Sequence, residues 1–282
     1  MHTQLLDILE HIFKEFTQLP ASENLGEIVL ENVTTSIHSP HSREVCYRAS
    51  SIGKPWILQV LNRWYPTPPS FNIGASMKMM DGVFCQAWAE AILTTAKYQF
   101  TSEQEHVLAV GGEQDVRVVG HSDIVVRQGR EIVVLECKSM ASHLISKFCN
   151  APNDEYGYLS QLSFYSSMVQ LANPGFDVSS AFLVYDRSNA KYRIVAIHDS
   201  TINAKFDRVQ NAVGKIAAIP QFDLSTLLST VVVPPIVAGQ VPSTMKWSKW
   251  AQAFYRDGEL LHPAESKRII EAMVNPLTQE VF

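Results

Sequence analysis

The chain has 282 residues, of which 46% are hydrophobic and 18% charged, and its formal net charge at pH 7 is -5. This composition is that of a globular chain rather than a disordered one, and the length fits one large domain or two small ones. The acidic balance argues mildly against a general binder of polyanions, because such proteins neutralise phosphates with Lys and Arg.

The N-terminal stretch and the cysteines indicate the cellular compartment. No run reaches the roughly 18 consecutive apolar residues of a membrane helix, and residues 1–19 are amphipathic, so we expect no signal peptide, no anchor and no membrane partner. The cysteines show no Cys-x-x-Cys spacing, which is typical of reduced thiols. They are Cys46, Cys85, Cys137 and Cys149. We therefore expect a cytoplasmic protein.

Helical and strand-like patterns alternate along the chain. Apolar residues at helical spacing predict helices at Gln4–Phe16, Trp56–Trp64, Met79–Tyr98, Tyr156–Leu171 and Thr201–Ile219. Runs rich in β-branched residues predict strands at His106–Val110, Val116–Val126, Glu131–Lys138, Ala181–Tyr185 and Tyr192–His198. The stretch 139–155 is interpreted as a loop.

This order of elements predicts an α/β fold with a mixed central β-sheet flanked by helices. We expect a single domain over residues 1–282, with a core at about 47–200. A helical extension would precede the core at 1–46, and a helical or irregular extension would follow it at 201–282. The stretch 231–242, which is punctuated by proline, is the one plausible boundary.

Three charged residues interrupt two apolar strands. Glu136 and Lys138 are two apart, so their side chains project from the same face. If the strands are joined by a two-residue turn at Gly129-Arg130, counting back places Asp123 opposite Glu136. Two carboxylates and an amine then share one face of the sheet.

Burying two neighbouring carboxylates is costly unless a cation compensates them. Mg²⁺ suits such a pair, because it is typically held by one or two carboxylates together with water and substrate phosphates. Lys138 would then polarise or deprotonate an attacking water and offset negative charge. The alternative is that Asp123 and Glu136 face solvent at strand ends, with Lys138 pairing one of them.

In order and spacing, these residues resemble the PD-(D/E)XK nuclease superfamily, and within it the RecB-like and phage-type exonucleases similar to lambda exonuclease. Motif II corresponds to Gly120-His121-Ser122-Asp123 and motif III to Glu136-Cys137-Lys138. The Gln-x-x-x-Tyr signature of the RecB-like branch corresponds to Gln161-Leu162-Ser163-Phe164-Tyr165. The resemblance covers roughly Tyr47–His198.

The resemblance implies a restriction-endonuclease-like core and hydrolysis of phosphodiester bonds at the ends of linear double-stranded DNA. Asp123, Glu136 and the backbone carbonyl of Cys137 would bind Mg²⁺ or Mn²⁺. Lys138 would complete the catalytic set. The expected setting is recombination, repair or phage DNA processing, in the host cytoplasm if the chain is phage-encoded.

Gln161 and Tyr165 lie one helical turn apart, so both can face the metal centre and the DNA strand. The resemblance makes them catalytic residues. The alternative is the ordinary polar face of an amphipathic helix.

Motif I of the family is Gly-x-x-x-His or Gly-x-x-x-Glu. Here the residue four positions after Gly82 is Gln86. A neutral amide is a poor metal ligand. Either Gln86 binds weakly or Glu90, one turn further along the same helix face, takes its place. A solvated helix glutamate is the alternative for Glu90.

Upstream, Ser50-Ser51-Ile52-Gly53 matches only part of a Ser-Ser-x-Gly element of RecB-like nucleases. Its hydroxyls, with Arg48 and Lys54 adjacent, are candidates to bind a DNA phosphate. The alternative is that Ser50-Ser51 caps the next helix. His121 shares a face with Asp123 and could touch phosphate or water, although a strand histidine is more often structural.

The cysteine positions exclude the iron-sulfur cluster of some family members, and no P-loop is present, so no nucleotide cofactor is expected. The resemblance allows a homo-oligomer and a single-strand annealing or recombination protein as partners. Two alternatives remain open. One is a catalytically inactive DNA-binding or assembly protein with a nuclease fold, and the other is a restriction-like endonuclease.

Overall fold

A mixed β-sheet forms the centre of the computed structural model, which describes residues 3–15, 25–38, 46–66, 73–150, 157–246 and 248–274. In those ranges the strands are β1 (Tyr47–Arg48), β2 (Phe100–Val110), β3 (Val116–Gln128), β4 (Glu131–Met140), β5 (Asp177–Asp186), β6 (Lys191–Ile197), β7 (Tyr255–Arg256) and β8 (Glu259–Leu260). The first six form the central sheet, and β7 and β8 pair separately. The predicted α/β class is confirmed.

The helices are α1 (Gln4–Glu15), α2 (Leu25–His38), α3 (Trp56–Trp64), α4 (Ile73–Thr95), α5 (Ser142–Asn150), α6 (Tyr158–Ala172), α7 (Asp199–Ala217), α8 (Leu224–Thr230), α9 (Ser243–Lys246) and α10 (Pro263–Val274). Within the described ranges, none of them is long and apolar enough to cross a membrane. The sequence prediction of one loop over 139–155 was wrong, because α5 lies inside it.

The sheet combines antiparallel and parallel pairs. One edge of β3 pairs with β2 along its length. On its other edge β3 pairs first with β1 in parallel and then with β4 in an antiparallel hairpin. Strand β4 continues in parallel beside β5, which pairs with β6. As a result, the edge of β3 between its β1 and β4 pairings is left open to other groups.

The β3–β4 hairpin has the register that the sequence predicts. Gln128 pairs with Glu131, and the ladder runs to Ile124 with Leu135. Gly129 has a φ of +59°, and Arg130 does not share a positive φ. A positive φ at the first central residue alone is the signature of a type II′ turn, which glycine adopts without strain.

Apolar side chains cover both faces of the sheet. On one face Val125, Val134 and Phe182 belong to the core cluster formed with α3, α6 and α7. On the other face Ile124 and Leu135 pack with α1 and α4. This alternation places successive residues of β3 and β4 on opposite sides of the sheet.

The C-terminal residues pack on the first of these faces. Trp250 is buried in the same cluster as α3, and its indole Nε1 donates a hydrogen bond to Asn62 Oδ1 at 2.8 Å. Phe254 and Ile270 belong to the same cluster. The segment after the proline-rich stretch 231–242 therefore shares its core with the sheet.

Candidate active site

The candidate site lies at a fork where β3 and β4 separate. Their ladder ends at the pair Ile124 with Leu135, beyond which β4 follows β5. Asp123 is the next residue of β3 and Glu136 the next of β4. The backbone amide of Cys137 donates to Asp123 Oδ2 at 2.7 Å, so the Asp123 side chain spans the fork.

Asp123, Glu136 and Lys138 lie on the face of the sheet that α6 covers. Lys138 Nζ is 2.5 Å from Glu136 Oε1 and 3.5 Å from Oε1 of Gln161 on α6. The intervening Cys137 packs on the opposite face, with the cluster that contains Cys85. The structure thus brings the three predicted residues together as the hairpin register requires.

Burial dominates the electrostatics of the two acids. Desolvation and the neighbouring charge of Glu136 raise the pKa of Asp123 well above its ordinary value. Glu136 is only 1% exposed, and burial raises its pKa even though Lys138 acts in the opposite direction. These raised pKa values mean that a further positive charge beside the two carboxylates would favour their ionised forms.

Lys138 is held in its charged form. Burial alone would lower its pKa, but the carboxylates of Glu136 and Asp123 outweigh burial and raise it above the ordinary value. Its ammonium also lies over the ring of Tyr158, at 4.7 Å from the centroid. Lys138 therefore stays protonated in this site, which does not suit the role of a general base.

The donor set suits a hard divalent cation. Glu136 Oε2 is buried and has no hydrogen-bond partner, although a buried carboxylate oxygen normally has one. Among the described residues, no cluster of three or more His, Cys, Asp or Glu side chains is preformed. A pair of carboxylates with open positions matches the way Mg²⁺ is held by protein and substrate together. Asp123, Glu136 and the adjoining carbonyl of Cys137 are the groups that would hold it.

Gln161 and Tyr165 of α6 face the same site. Gln161 Nε2 donates to Tyr165 Oη at 3.3 Å, while the carbonyl oxygen of Gln161 points towards Lys138. Both residues are buried, so they are not part of a solvated helix face. Burial raises the pKa of Tyr165, so its hydroxyl stays protonated at neutral pH.

Gly120 of motif II makes room for Tyr165. A Cβ at this position would lie 2.3 Å from Ala49 Cβ and 2.8 Å from Tyr165 Oη, far closer than real Cβ contacts. The glycine is therefore required by packing, and it allows the tyrosine to lie against β3. Motif II and the Gln-x-x-x-Tyr signature are coupled through this contact.

Gly120→Ala is expected to destabilise the protein by about 1–3 kcal/mol, as overpacking of a core does. Denaturant unfolding measures the effect. Gly214→Ala on α7 is the matched control, because a Cβ there meets nothing within 4 Å. Unchanged stability in Gly120→Ala would contradict this role for the glycine.

At the motif I position, the structure shows Gln86 and Glu90 in contact with each other. Gln86 Nε2 lies 3.0 Å from Glu90 Oε1 and 3.2 Å from the backbone carbonyl of Asp123. Both residues are buried. Burial raises the pKa of Glu90, against the hydrogen bonds that it accepts from Gln86 and Ser102. The alternative of a solvated glutamate at position 90 is wrong, because Glu90 is buried.

The turn Ser50-Ser51-Ile52-Gly53 does not cap α3. Ser50 and Ser51 lie in a short 3₁₀ helix, Ala49–Ser51, and the N-cap of α3 is Pro55, which has no capping side chain. The capping interpretation is therefore wrong. Ser50, Arg48 and Lys54 are exposed, and Ser51 is half-buried.

This turn meets the start of α6. A Cβ on Gly53 would lie 2.0 Å from Cα of Gly157, the N-cap residue of α6, so the two backbones are in direct contact. Tyr158, the next residue, carries the ring beside Lys138. The turn is therefore positioned next to the charged fork.

His121 is half-buried and lies 3.6 Å from Glu105 on the neighbouring strand. The structure thus gives it a carboxylate partner on β2.

Two residues near the fork were missed by sequence reasoning. His106 on β2 is buried, and its Nε2 is 3.0 Å from Ser122 Oγ. Burial and the charge of His121 lower the pKa of His106 to about 4, so the ring is neutral at neutral pH. Glu103, also on β2, accepts a hydrogen bond from Gln86 Nε2 at 2.9 Å. The predicted strand His106–Val110 contains His106, whereas Glu103 lies outside it.

Comparisons with known proteins give distant likenesses. No family model matches the chain, and no curated protein matches its sequence. A solved structure of SSO0001 is 11% identical with a TM-score of 0.40, covering 67% of this chain and 86% of that one. A protein from Eubacterium rectale, named as a candidate exonuclease, is 13% identical with a TM-score of 0.31, covering 84% of this chain and 94% of that one.

Proposed function

We propose that this chain is a divalent-cation-dependent deoxyribonuclease that hydrolyses phosphodiester bonds at the ends of linear DNA. The observation that carries the proposal is the fork itself. A buried glutamate with an unpartnered oxygen and a half-buried aspartate from the adjacent strand lie beside a fixed ammonium. Such a site favours binding a cation together with a phosphate.

In this proposal Asp123 and Glu136 would hold Mg²⁺ or Mn²⁺, and the bound cation would activate a water and offset charge on the scissile phosphate. Lys138 donates a hydrogen bond to a phosphate oxygen and offsets the charge that develops during attack. Its raised pKa supports this role over that of a general base. Gln161 orients Lys138 through the 3.5 Å contact, and Tyr165 supports Gln161.

DNA is proposed to approach along the turn before α3. The exposed side chains of Ser50, Arg48 and Lys54 lie on the segment that contacts the N-terminus of α6. Hydroxyls, cationic side chains and free amides at a helix start are the groups that bind DNA phosphates. Preference for DNA ends is proposed from the Gln161 to Tyr165 signature, with recombination, repair or phage DNA processing as its setting.

The test is incubation of the protein with linear duplex DNA and with covalently closed circular DNA of the same sequence, each with Mg²⁺ and with chelator. We expect progressive loss of the linear molecule only with Mg²⁺, while the closed circle survives. Nicked circular DNA serves as a control for entry at an internal end.

Two other outcomes would replace this proposal. Cutting of the closed circle at discrete positions would indicate a restriction-like endonuclease. Equal DNA binding with and without chelator, with no cleavage, would indicate a nuclease fold kept for DNA binding. The amide at position 86, where the family motif has His or Glu, is the feature that favours this second outcome.

A further inference from the structure

Glu103 has an unusual backbone at a critical position. Its φ is +52°, a left-handed value that residues other than Gly, Asn and Asp rarely adopt. Strand β2 pairs Ser102 with Ile124 and Gln104 with Ser122, so this register places Glu103 opposite Asp123. Strained residues of this kind persist where the surroundings require them, often at functional sites.

The side chain of Glu103 is held in place by Gln86. The amide Nε2 of Gln86 lies 2.9 Å from Glu103 Oε1 and also contacts Glu90 Oε1 and the carbonyl of Asp123. One buried amide thus connects α4, β2 and the motif II residue of β3. Glu103 itself is exposed.

Glu103 lies next to the proposed cation-binding acids in the sheet. The β2–β3 register places it opposite Asp123, and Gln86, which holds its carboxylate, also contacts the carbonyl of Asp123. Across the fork, the buried Glu136 Oε2 has no hydrogen-bond partner. A buried carboxylate oxygen of this kind normally has a positive or hydrogen-bonding group beside it.

We propose that Glu103 is the third carboxylate of the site and accepts hydrogen bonds from water bound at the Asp123–Glu136 pair, with Gln86 positioning it. This inference rests on the proposed function. Mg²⁺ keeps several of its waters, and carboxylates beside those waters strengthen binding and orient the attacking one. Glu103 on β2 thereby takes the role of the acidic residue that is absent from position 86.

The test measures Mn²⁺ binding to the full chain by electron paramagnetic resonance, without DNA. Glu103→Gln and Glu103→Gly are each expected to raise the Mn²⁺ dissociation constant by about tenfold or more, the usual effect of losing such a residue. Glycine adopts the left-handed backbone without strain, so the second variant separates the carboxylate from folding. Glu105→Gln, an exposed change on the same strand, should alter binding by about twofold or less because of solvent screening.

Each outcome is decisive. Weakened Mn²⁺ binding in both Glu103 variants, with Glu105→Gln unaffected, supports the role of Glu103. Wild-type affinity in Glu103→Gln or Glu103→Gly overturns it while leaving the proposed nuclease intact. Absence of Mn²⁺ binding in the wild-type protein overturns the proposed function as well, so the two failures are distinguishable.

Discussion

Lys138→Ala is expected to slow cleavage of linear DNA by about 10³-fold or more at saturating Mg²⁺. The substitution removes the ammonium that lies 2.5 Å from Glu136 Oε1, at the place proposed for the scissile phosphate. Single-turnover cleavage measures the effect on chemistry directly. Lys147→Ala on α5 removes the same charge from an exposed position and should leave the rate unchanged.

The same substitution should also cost stability. Glu136 is 1% exposed, and removing one partner of a buried ion pair typically costs about 3 kcal/mol or more. The double variant Lys138→Ala/Glu136→Gln removes both charges and should regain much of that stability without regaining activity. A Lys138→Ala protein within tenfold of the wild-type rate would refute the role given to Lys138.

Asp123→Asn is expected to reduce Mg²⁺-dependent cleavage to background and to keep or raise the melting temperature at neutral pH. Burial and the charge of Glu136 raise the pKa of Asp123 in the folded state. A raised folded-state pKa stabilises the protein at acidic pH, and this contribution is lost as pH rises through that pKa. At neutral pH the aspartate is therefore a stability cost, which asparagine removes.

Melting temperatures with and without Mg²⁺ separate the two effects. A ligand that binds only the folded state raises the melting temperature, so Mg²⁺ should stabilise the wild type and not Asp123→Asn. Asp115→Asn, an exposed change just before β3, should respond to Mg²⁺ as the wild type does. An Asp123→Asn protein that is equally stabilised by Mg²⁺ would show that the cation binds elsewhere.

The central geometry was predictable because local rules determine it. A Gly-X turn at Gly129-Arg130 sets the register, and the period of two along a strand sets the faces. Together they place Asp123, Glu136 and Lys138 on one side of the sheet, as the structure has them. No long-range information was needed for these three residues.

Glu103 could not be predicted because its role depends on tertiary structure. It lies in the polar run Thr101–Glu105 of a mostly exposed strand, which has no apolar alternation to mark it. The sequence therefore predicted β2 to begin at His106, whereas it begins at Phe100. Pairing with β3 supplies the strand, and that pairing becomes visible only in the fold.

Gln86 and Glu90 illustrate a different limit. Helical spacing correctly placed them on one face of α4, but spacing alone could not tell which of them would meet the site. The structure shows that the amide of Gln86 reaches both Glu90 and the backbone of Asp123. Which acid completes the site depends on how α4 packs against the sheet.

The most direct test of the central claim is anomalous diffraction from crystals soaked in Mn²⁺. We expect a Mn²⁺ peak in direct contact with a carboxylate oxygen of Asp123 and one of Glu136, at distances of about 2.1 Å as for similar small divalent cations. Crystals that show no peak between these two side chains, or a peak bound only elsewhere, would contradict it.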